Sequence, residues 1–316
     1  MNALCKPSAH CRHRRRSTPV SCGAPPELHI LQQSVDVRAS CGVSFRGAEE
    51  IHHVNTKRKK EWFDDDSFWR HLYPFMFPEA RFTDAGEQVD KVLNLTKPMG
   101  KSALDLCCGP GRCSIALAQR GFTVTGVDRT KYLLDKARKR ARAAKVTIEW
   151  VQKDMRDFVR PDAFDLVISM FTSFGYFDDK EQDGDVLSNM FSTLRPGGAC
   201  LVDVMGKERL AKILQPTTSD VLPDGTKVVQ RHEVFDDWTR IRNEWIILRK
   251  GRARSFTFHH TIYSGQELRE RMEDAGFTSV TLYGTLSGDQ YGPNAQRLIA
   301  VGRKPGRTTQ QVQPNE

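Results

Sequence analysis

The chain has 316 residues, 39% of them hydrophobic and 28% charged, enough to bury one α/β core of ordinary size with additions. Its longest apolar runs, ALDLCC and DLVISMF, fall well short of the roughly 18 residues a membrane-spanning helix needs, so no membrane span is expected. The formal charge of +9 sits at one end: residues 1–60 hold 11 Lys and Arg against 4 Asp and Glu, and the rest 37 against 35. Composition therefore supplies no basic patch for a phosphate backbone on the folded part, which argues against a nucleic-acid partner.

Residues 1–60 are rich in Arg, Ser and Pro, carry no acid before Glu27, and read as a disordered basic segment. They lack the apolar block of about 7 to 15 residues that a secretory signal needs. Four of the eight cysteines lie here, Cys5, Cys11, Cys22 and Cys41; the others are Cys107, Cys108, Cys113 and Cys200. None forms a CxxC pair, so small buried thiols in a reducing, cytoplasmic setting are expected, and no metal site. From Glu61 the composition changes. Trp62, Phe63, Phe68, Trp69, Tyr73, Phe75 and Phe77 crowd into 16 residues, either a helical lid (residues 61–100) over a pocket or a staple against the core.

From Ala103 a regular alternation begins. Strand-like runs at 103–107, 123–128, 148–153, 165–170 and 199–205 are separated by helix-length segments such as YLLDKARKRARAAK, the pattern of a parallel sheet with crossover helices. LRPGGA, residues 194–199, supplies turn chemistry before the fifth strand. TKVVQRHEVF, TRIRNEWIILR and RARSFTFHHTIYS then read as an antiparallel insertion spanning 216–263. A helix, SGQELRERMEDAGF, two strands, SVTLYG and QRLIAVGRK, and a polar tail at 305–316 complete the chain. The expected fold over 61–304 is α/β: a doubly wound, seven-stranded, mostly parallel Rossmann-like sheet with an antiparallel β insertion after the fifth strand.

Ligands of such a sheet sit at the carboxyl ends of the strands, where the strand order switches. Asp105 lies inside the first apolar run, and a buried carboxylate is tolerated only where something partners it; a ligand is one candidate. Gly109 and Gly111 follow, permitting close backbone approach before a helix that starts near Arg112. The third glycine of a dinucleotide fingerprint is replaced by Ser114. Asp128 ends the second run about twenty residues later, where a carboxylate can accept from ribose hydroxyls. Asp154 ends the third, where it can accept from an exocyclic amine. Together they map a nucleoside.

These stretches resemble the class I S-adenosylmethionine-dependent methyltransferases: LDLCCGPGR is similar to that family's first motif, VTGVD to its second, QKDMRDF to its third and FDLVISMFTSFGYF to its fourth. FTSFGYFDD and GKERLA resemble bacterial members acting on small molecules. The resemblance implies S-adenosyl-L-methionine as donor. It implies contacts from Asp105, Cys107, Gly109 and Gly111, with Asp105 toward the methionine amino group; from Asp128 and Arg129 at the ribose; from Asp154 and Met155 at the adenine; and from Met170. The implied function is methyl transfer to N or O of a small molecule, by a monomer or homodimer. Ser169-Met170-Phe171-Thr172 lacks the paired prolines of nucleic-acid amino methyltransferases, although RNA carbon or ribose chemistry stays open. A nicotinamide-dependent oxidoreductase on the same sheet is opposed by the missing glycine and the extra carboxylates. Base candidates are Tyr176 and His259, with His260 on the opposite face of its strand.

Overall fold

The computed structural model describes residues 61–306; the expectations for residues 1–60, their four cysteines and most of the polar tail lie outside the described residues. The aromatic stretch opens with a 3-10 turn, Trp62–Asp64, followed by α1 (Asp66–Met76), α2 (Ala80–Thr83) and α3 (Ala85–Thr96). Asp65 caps α1 by accepting from the Ser67 N–H at 2.8 Å, satisfying one of the donors that a helix start leaves open.

Every strand-like run forms a strand. β1 (Ser102–Leu106), α4 (Arg112–Gln119), β2 (Thr123–Asp128), α5 (Lys131–Ala143), β3 (Glu149–Gln152), β4 (Phe164–Ser169), α6 (Glu181–Thr193) and β5 (Leu194–Val204) follow in turn, the five strands pairing in parallel. The apolar residues of β1 serve both faces. Leu104 and Leu106 join the core beneath α6, while Ala103 joins the core beneath α3 and α4, the double burial that makes a parallel strand read as a continuous apolar run. LRPGG is not a turn ahead of β5 but an irregularity inside it: the register runs Phe164 to Leu194 and then Leu166 to Ala199. Gly198 is needed there, because a Cβ would stand 2.9 Å from the Arg195 carbonyl oxygen.

After α7 (Lys207–Ile213), the insertion forms its own antiparallel sheet of β6 (Thr217–Val221), β7 (Lys227–Phe235), β8 (Arg240–Arg249) and β9 (Arg252–Thr261). Sequence patterning shows three of these strands; β6 is mostly exposed and carries no apolar alternation to betray it. The chain returns through α8 (Gly265–Asp274), closed by a Ser264–Glu267 capping box, to β10 (Thr278–Tyr283) and β11 (Leu298–Arg303). The main sheet is ordered β3-β2-β1-β4-β5-β11-β10, with β11 antiparallel to both neighbours. The fold is therefore the expected mixed α/β, mostly parallel, seven-stranded sheet. Among the described residues no helix is long and apolar enough to cross a membrane.

The aromatic segment packs against the second sheet and also borders a cavity. Phe68 and Leu72 of α1 form a buried cluster with Val228, Ile247 and Phe258 of the second sheet, while other side chains of the same segment face a cavity. Phe68 is 2% exposed and touches the rings of Trp62, Trp69, Phe256 and Phe258. Phe68→Ala is expected to destabilise the protein by about 3–5 kcal/mol, measured by urea unfolding, with protease cleavage rising first between residues 61 and 80.

Candidate functional site

The strand order turns around between β1 and β4, and a cavity of about 210 Å³ opens at the carboxyl ends of β1 to β4, roofed by the 3-10 turn and α1. Three stretches of chain set its walls.

The first is the turn after β1. Asp105 is 3% exposed and accepts from the Ser114 hydroxyl at 2.5 Å, so the serine standing in place of a third glycine is a partner for the strand carboxylate. Burial pushes the Asp105 carboxyl up to about 6, against the Ser114 bonds and the nearby Arg112 charge and with some help from Asp128. Cys107 and Gly109 line the cavity, both with left-handed backbone. Gly111 does not line it. Its φ is +80°, and an added Cβ would stand 2.7 Å from the Trp150 ring, which also covers Gly126 at 2.6 Å. Gly111 therefore admits a tryptophan from β3 rather than a ligand. Cys108, Cys113 and Cys200 are buried free thiols.

The second wall joins the ends of β2 and β3. Asp128 lines the cavity and accepts from the N–H groups of Gly109 and Thr130, each at 2.8 Å, which lock the glycine turn to the second strand; burial raises its pKa. Arg129 pairs with Asp154 at 2.7 Å and Asp64 at 2.5 Å, and Arg156 pairs with Asp154 at 2.8 Å and Glu61 at 3.1 Å. Burial works to raise the Asp154 pKa, but the bonds to Arg156 and the charges of both arginines win and hold it low. Each Asp154 oxygen already accepts two arginine bonds, and a carboxylate has about four lone-pair positions. Acceptance from an exocyclic amine thus requires an arginine to give way, which sequence alone did not reveal. Met155 lines the cavity with its sulfur 3.4 Å from that of Cys107.

The third wall follows β4. Met170, Phe171, Thr172 and Tyr176 line the cavity. Phe171 and Thr172 both have φ near +61°, a strained conformation for residues with a Cβ, and β5 holds them there: the Phe171 N–H donates to the Asp203 carboxylate at 3.0 Å and the Thr172 N–H to its carbonyl at 2.8 Å. Arg297 closes the clamp, donating to Asp203 at 2.7 Å and to the Thr172 hydroxyl at 2.9 Å. Nothing in the sequence pattern marks Arg297.

Of the base candidates, Tyr176 borders the cavity, its ring against Trp62 and His260. Burial pushes its hydroxyl up to about 12, so at neutral pH it stays protonated and can donate a hydrogen bond but not take a proton. His259 is a correction: it does not line the cavity, because strand alternation turns it outward, where it meets Asp178 at 2.6 Å. His260 points inward, and burial lowers its pKa to about 4, leaving it neutral.

Asp203 is 3% exposed beside its Arg297 partner. Arg297→Met is expected to cost on the order of 3 kcal/mol, because it leaves a buried carboxylate unpaired. Adding Asp203→Asn should recover part of that loss in a double-mutant cycle read by urea unfolding.

A family profile described as a methyltransferase domain matches residues 103–198, the span from β1 into β5. The chain is 26% identical over 223 residues to YqeM of Bacillus subtilis, provisionally named a methyltransferase, covering 69% of this chain and 90% of that protein. It is 27% identical over 207 residues to the mitochondrial ubiquinone biosynthesis O-methyltransferase of Schizosaccharomyces pombe, covering 63% and 72%. Among solved structures, S-adenosylmethionine-bound CalS10, an amino pentose methyltransferase from Micromonospora echinaspora, matches with a TM-score of 0.56 at 20% identity over 75% of this chain and 96% of that one, a likeness of fold. Carboxylates at the ends of adjacent strands, Asp105, Asp128 and Asp154, stand around one cavity, a lining that fits a cationic nucleoside. Its motifs, its sheet order and these relatives make the chain similar to the class I S-adenosylmethionine-dependent methyltransferases, with a methyltransferase domain over residues 103–198.

Proposed function

We propose that the chain transfers the donor's methyl group to nitrogen or oxygen of a small molecule by in-line displacement. The observation that carries this reading is the convergence of Asp105, Asp128 and Asp154, from three strands, on a single cavity whose remaining wall is aromatic. The relatives support the acceptor class: one is named for O-methylation in ubiquinone biosynthesis and a structural neighbour for an amino pentose.

When bound, S-adenosylmethionine supplies a methyl group on a positively charged sulfur, already activated for attack. The protein's work is then mostly positioning, which can contribute about 7–11 kcal/mol through effective molarity. In this reading Asp105 takes the donor's ammonium and Asp128 accepts from the ribose hydroxyls. Met155 packs on the adenine ring, with Asp154 beside it as the anion of the arginine cluster. Cys107, Gly109, Arg129 and Met170 complete the donor's surroundings. Gly111 acts indirectly, by seating Trp150. Tyr176 orients the acceptor through its hydroxyl. Trp62, Phe63, Trp69 and Phe77 keep water out and, with the second sheet behind them, select what enters. Deprotonation of the acceptor falls to solvent or to the acceptor's own basicity, since among the described residues no histidine lines the cavity.

Calorimetry with S-adenosylhomocysteine tests the donor site: wild type binds it and not NADH, and Asp128→Ala weakens binding about 10- to 100-fold, the loss of hydrogen bonds to a charged acceptor. Binding of NADH in its place would sink the reading.

The pKa of Asp105 adds a pH signature. An ammonium needs the ionised carboxylate, so affinity is lost as pH falls through about 6, by about tenfold between roughly pH 7.5 and pH 5. Asp105→Asn should weaken binding and flatten that dependence. Folding stability carries the opposite sign. The raised carboxyl favours the folded state most below its ordinary value of 3.8, and that contribution is lost as pH rises through about 6.

A further inference from the structure

Within the FTSFGYFDD stretch, Tyr176 and Phe177 line the cavity, whereas Gly175 and Asp178 on either side of them do not. What those two meet is the second sheet. The Thr261 N–H, at the end of β9, donates to the Gly175 carbonyl at 2.7 Å. Thr261 is the cross-strand partner of Arg240 on β8. The Arg240 guanidinium, on a side chain 15% exposed, donates to the Phe177 carbonyl at 3.2 Å and to the Asp178 carbonyl at 3.4 Å. The Asp178 carboxylate stands 2.6 Å from His259 Nε2.

Gly175 makes this approach possible. Its φ is +99°, and an added Cβ would stand 2.9 Å from the Thr261 carbonyl oxygen, so any larger residue would strain the turn and press it away from β9. The carbonyls before and after Tyr176 are thus tied to one pair of facing residues in the insertion. Between them the Tyr176 ring is seated with its centroid 5.2 Å from that of Trp62 and 4.9 Å from that of His260. Such bracing matters where positioning carries the chemistry, because a displacement of about 1 Å can cost about 100-fold in rate.

We propose that Arg240 is a positioning residue: by holding the backbone that follows Tyr176, it sets that side chain against the acceptor, so the antiparallel insertion aims one wall of the cavity as well as covering it. This rests on the reading above in which Tyr176 orients the acceptor, and supplies what orients Tyr176. His259 serves the same seam through Asp178.

The test places a fluorotyrosine at position 176 of the full chain and reads its fluorine NMR resonance in wild type, Arg240→Met, Arg240→Lys and Arg242→Met, each first shown by its melting curve to be folded. Arg242, two residues along β8, is exposed and paired with Glu233 at 3.0 Å, so its variant reports the loss of a sheet arginine as such. Wild type is expected to give one narrow line. In Arg240→Met the line shifts and broadens as Tyr176 samples more than one position, while Arg240→Lys, whose single ammonium lacks the fork that spans two carbonyls, falls between. Arg242→Met keeps the wild-type line. Gly175→Ala, which presses on the turn from its other end, repeats the Arg240→Met result and carries the test if that variant does not fold. Calorimetry with S-adenosylhomocysteine is expected to give wild-type affinity in all of them, since the proposed donor carboxylates stand at the ends of β1 to β3. An unchanged line in Arg240→Met, an equal change in Arg242→Met, or a loss of S-adenosylhomocysteine affinity matching the change in the line would overturn the positioning role and leave Arg240 a general support of the fold. Failure of the wild-type chain to bind S-adenosylhomocysteine would instead overturn the methyl-transfer reading, whatever the resonance does.

Discussion

The strand order turns around between β1 and β4, and the rest of the site depends on that reversal. With α4 packed beside α3 on one face and α6 beside α8 on the other, the two neighbouring strands send their chains away from each other. The space left at their carboxyl ends cannot be filled by either crossover. Backbone donors and strand-end carboxylates then face a gap instead of a core. Asp105, on the α4 side of β1, would be intolerable one turn deeper; at this edge it has Ser114 and the cavity.

The gap is shaped by devices of different kinds. At the β2 and β3 ends an ion cluster of Glu61, Asp64, Arg129, Asp154 and Arg156 fastens the 3-10 turn to the rim. Its members are partly sheltered, so their pairing is less screened than that of surface pairs. Above it, Trp62 shares contacts with Phe63, Phe68, Tyr176 and Phe258, joining the segment before the main sheet to the insertion after it. The roof is thus assembled from the two parts of the chain that the sheet does not need.

Three of the residues that line the cavity also carry backbone strain. Cys107, Phe171 and Thr172 all take left-handed conformations without being glycine, and all three line the cavity. For the last two the compensation is visible, since both backbone N–H groups and a hydroxyl are held by Asp203 and Arg297. A turn held so tightly presents fixed groups to a ligand, the preorganisation that positioning catalysis relies on.

Much of this was legible in the sequence. Continuous apolar runs separated by helix-length segments can hardly be anything but a parallel sheet, because only double burial makes a strand apolar on both faces. The glycines and strand-end aspartates likewise pointed to a ligand edge, since their local chemistry demands one. Gly111 shows the limit. That it permits a close approach was readable, but what approaches, the ring of Trp150, comes from a strand nearly forty residues away in the chain. The occupancy of Asp154 and the Asp203–Arg297 clamp are both of this second kind. Local pattern determines which element a residue joins and which way it faces, because those follow from bonds and dihedrals within a few residues. Which charge meets which is decided only when segments far apart in the chain are folded together, and no periodicity records it.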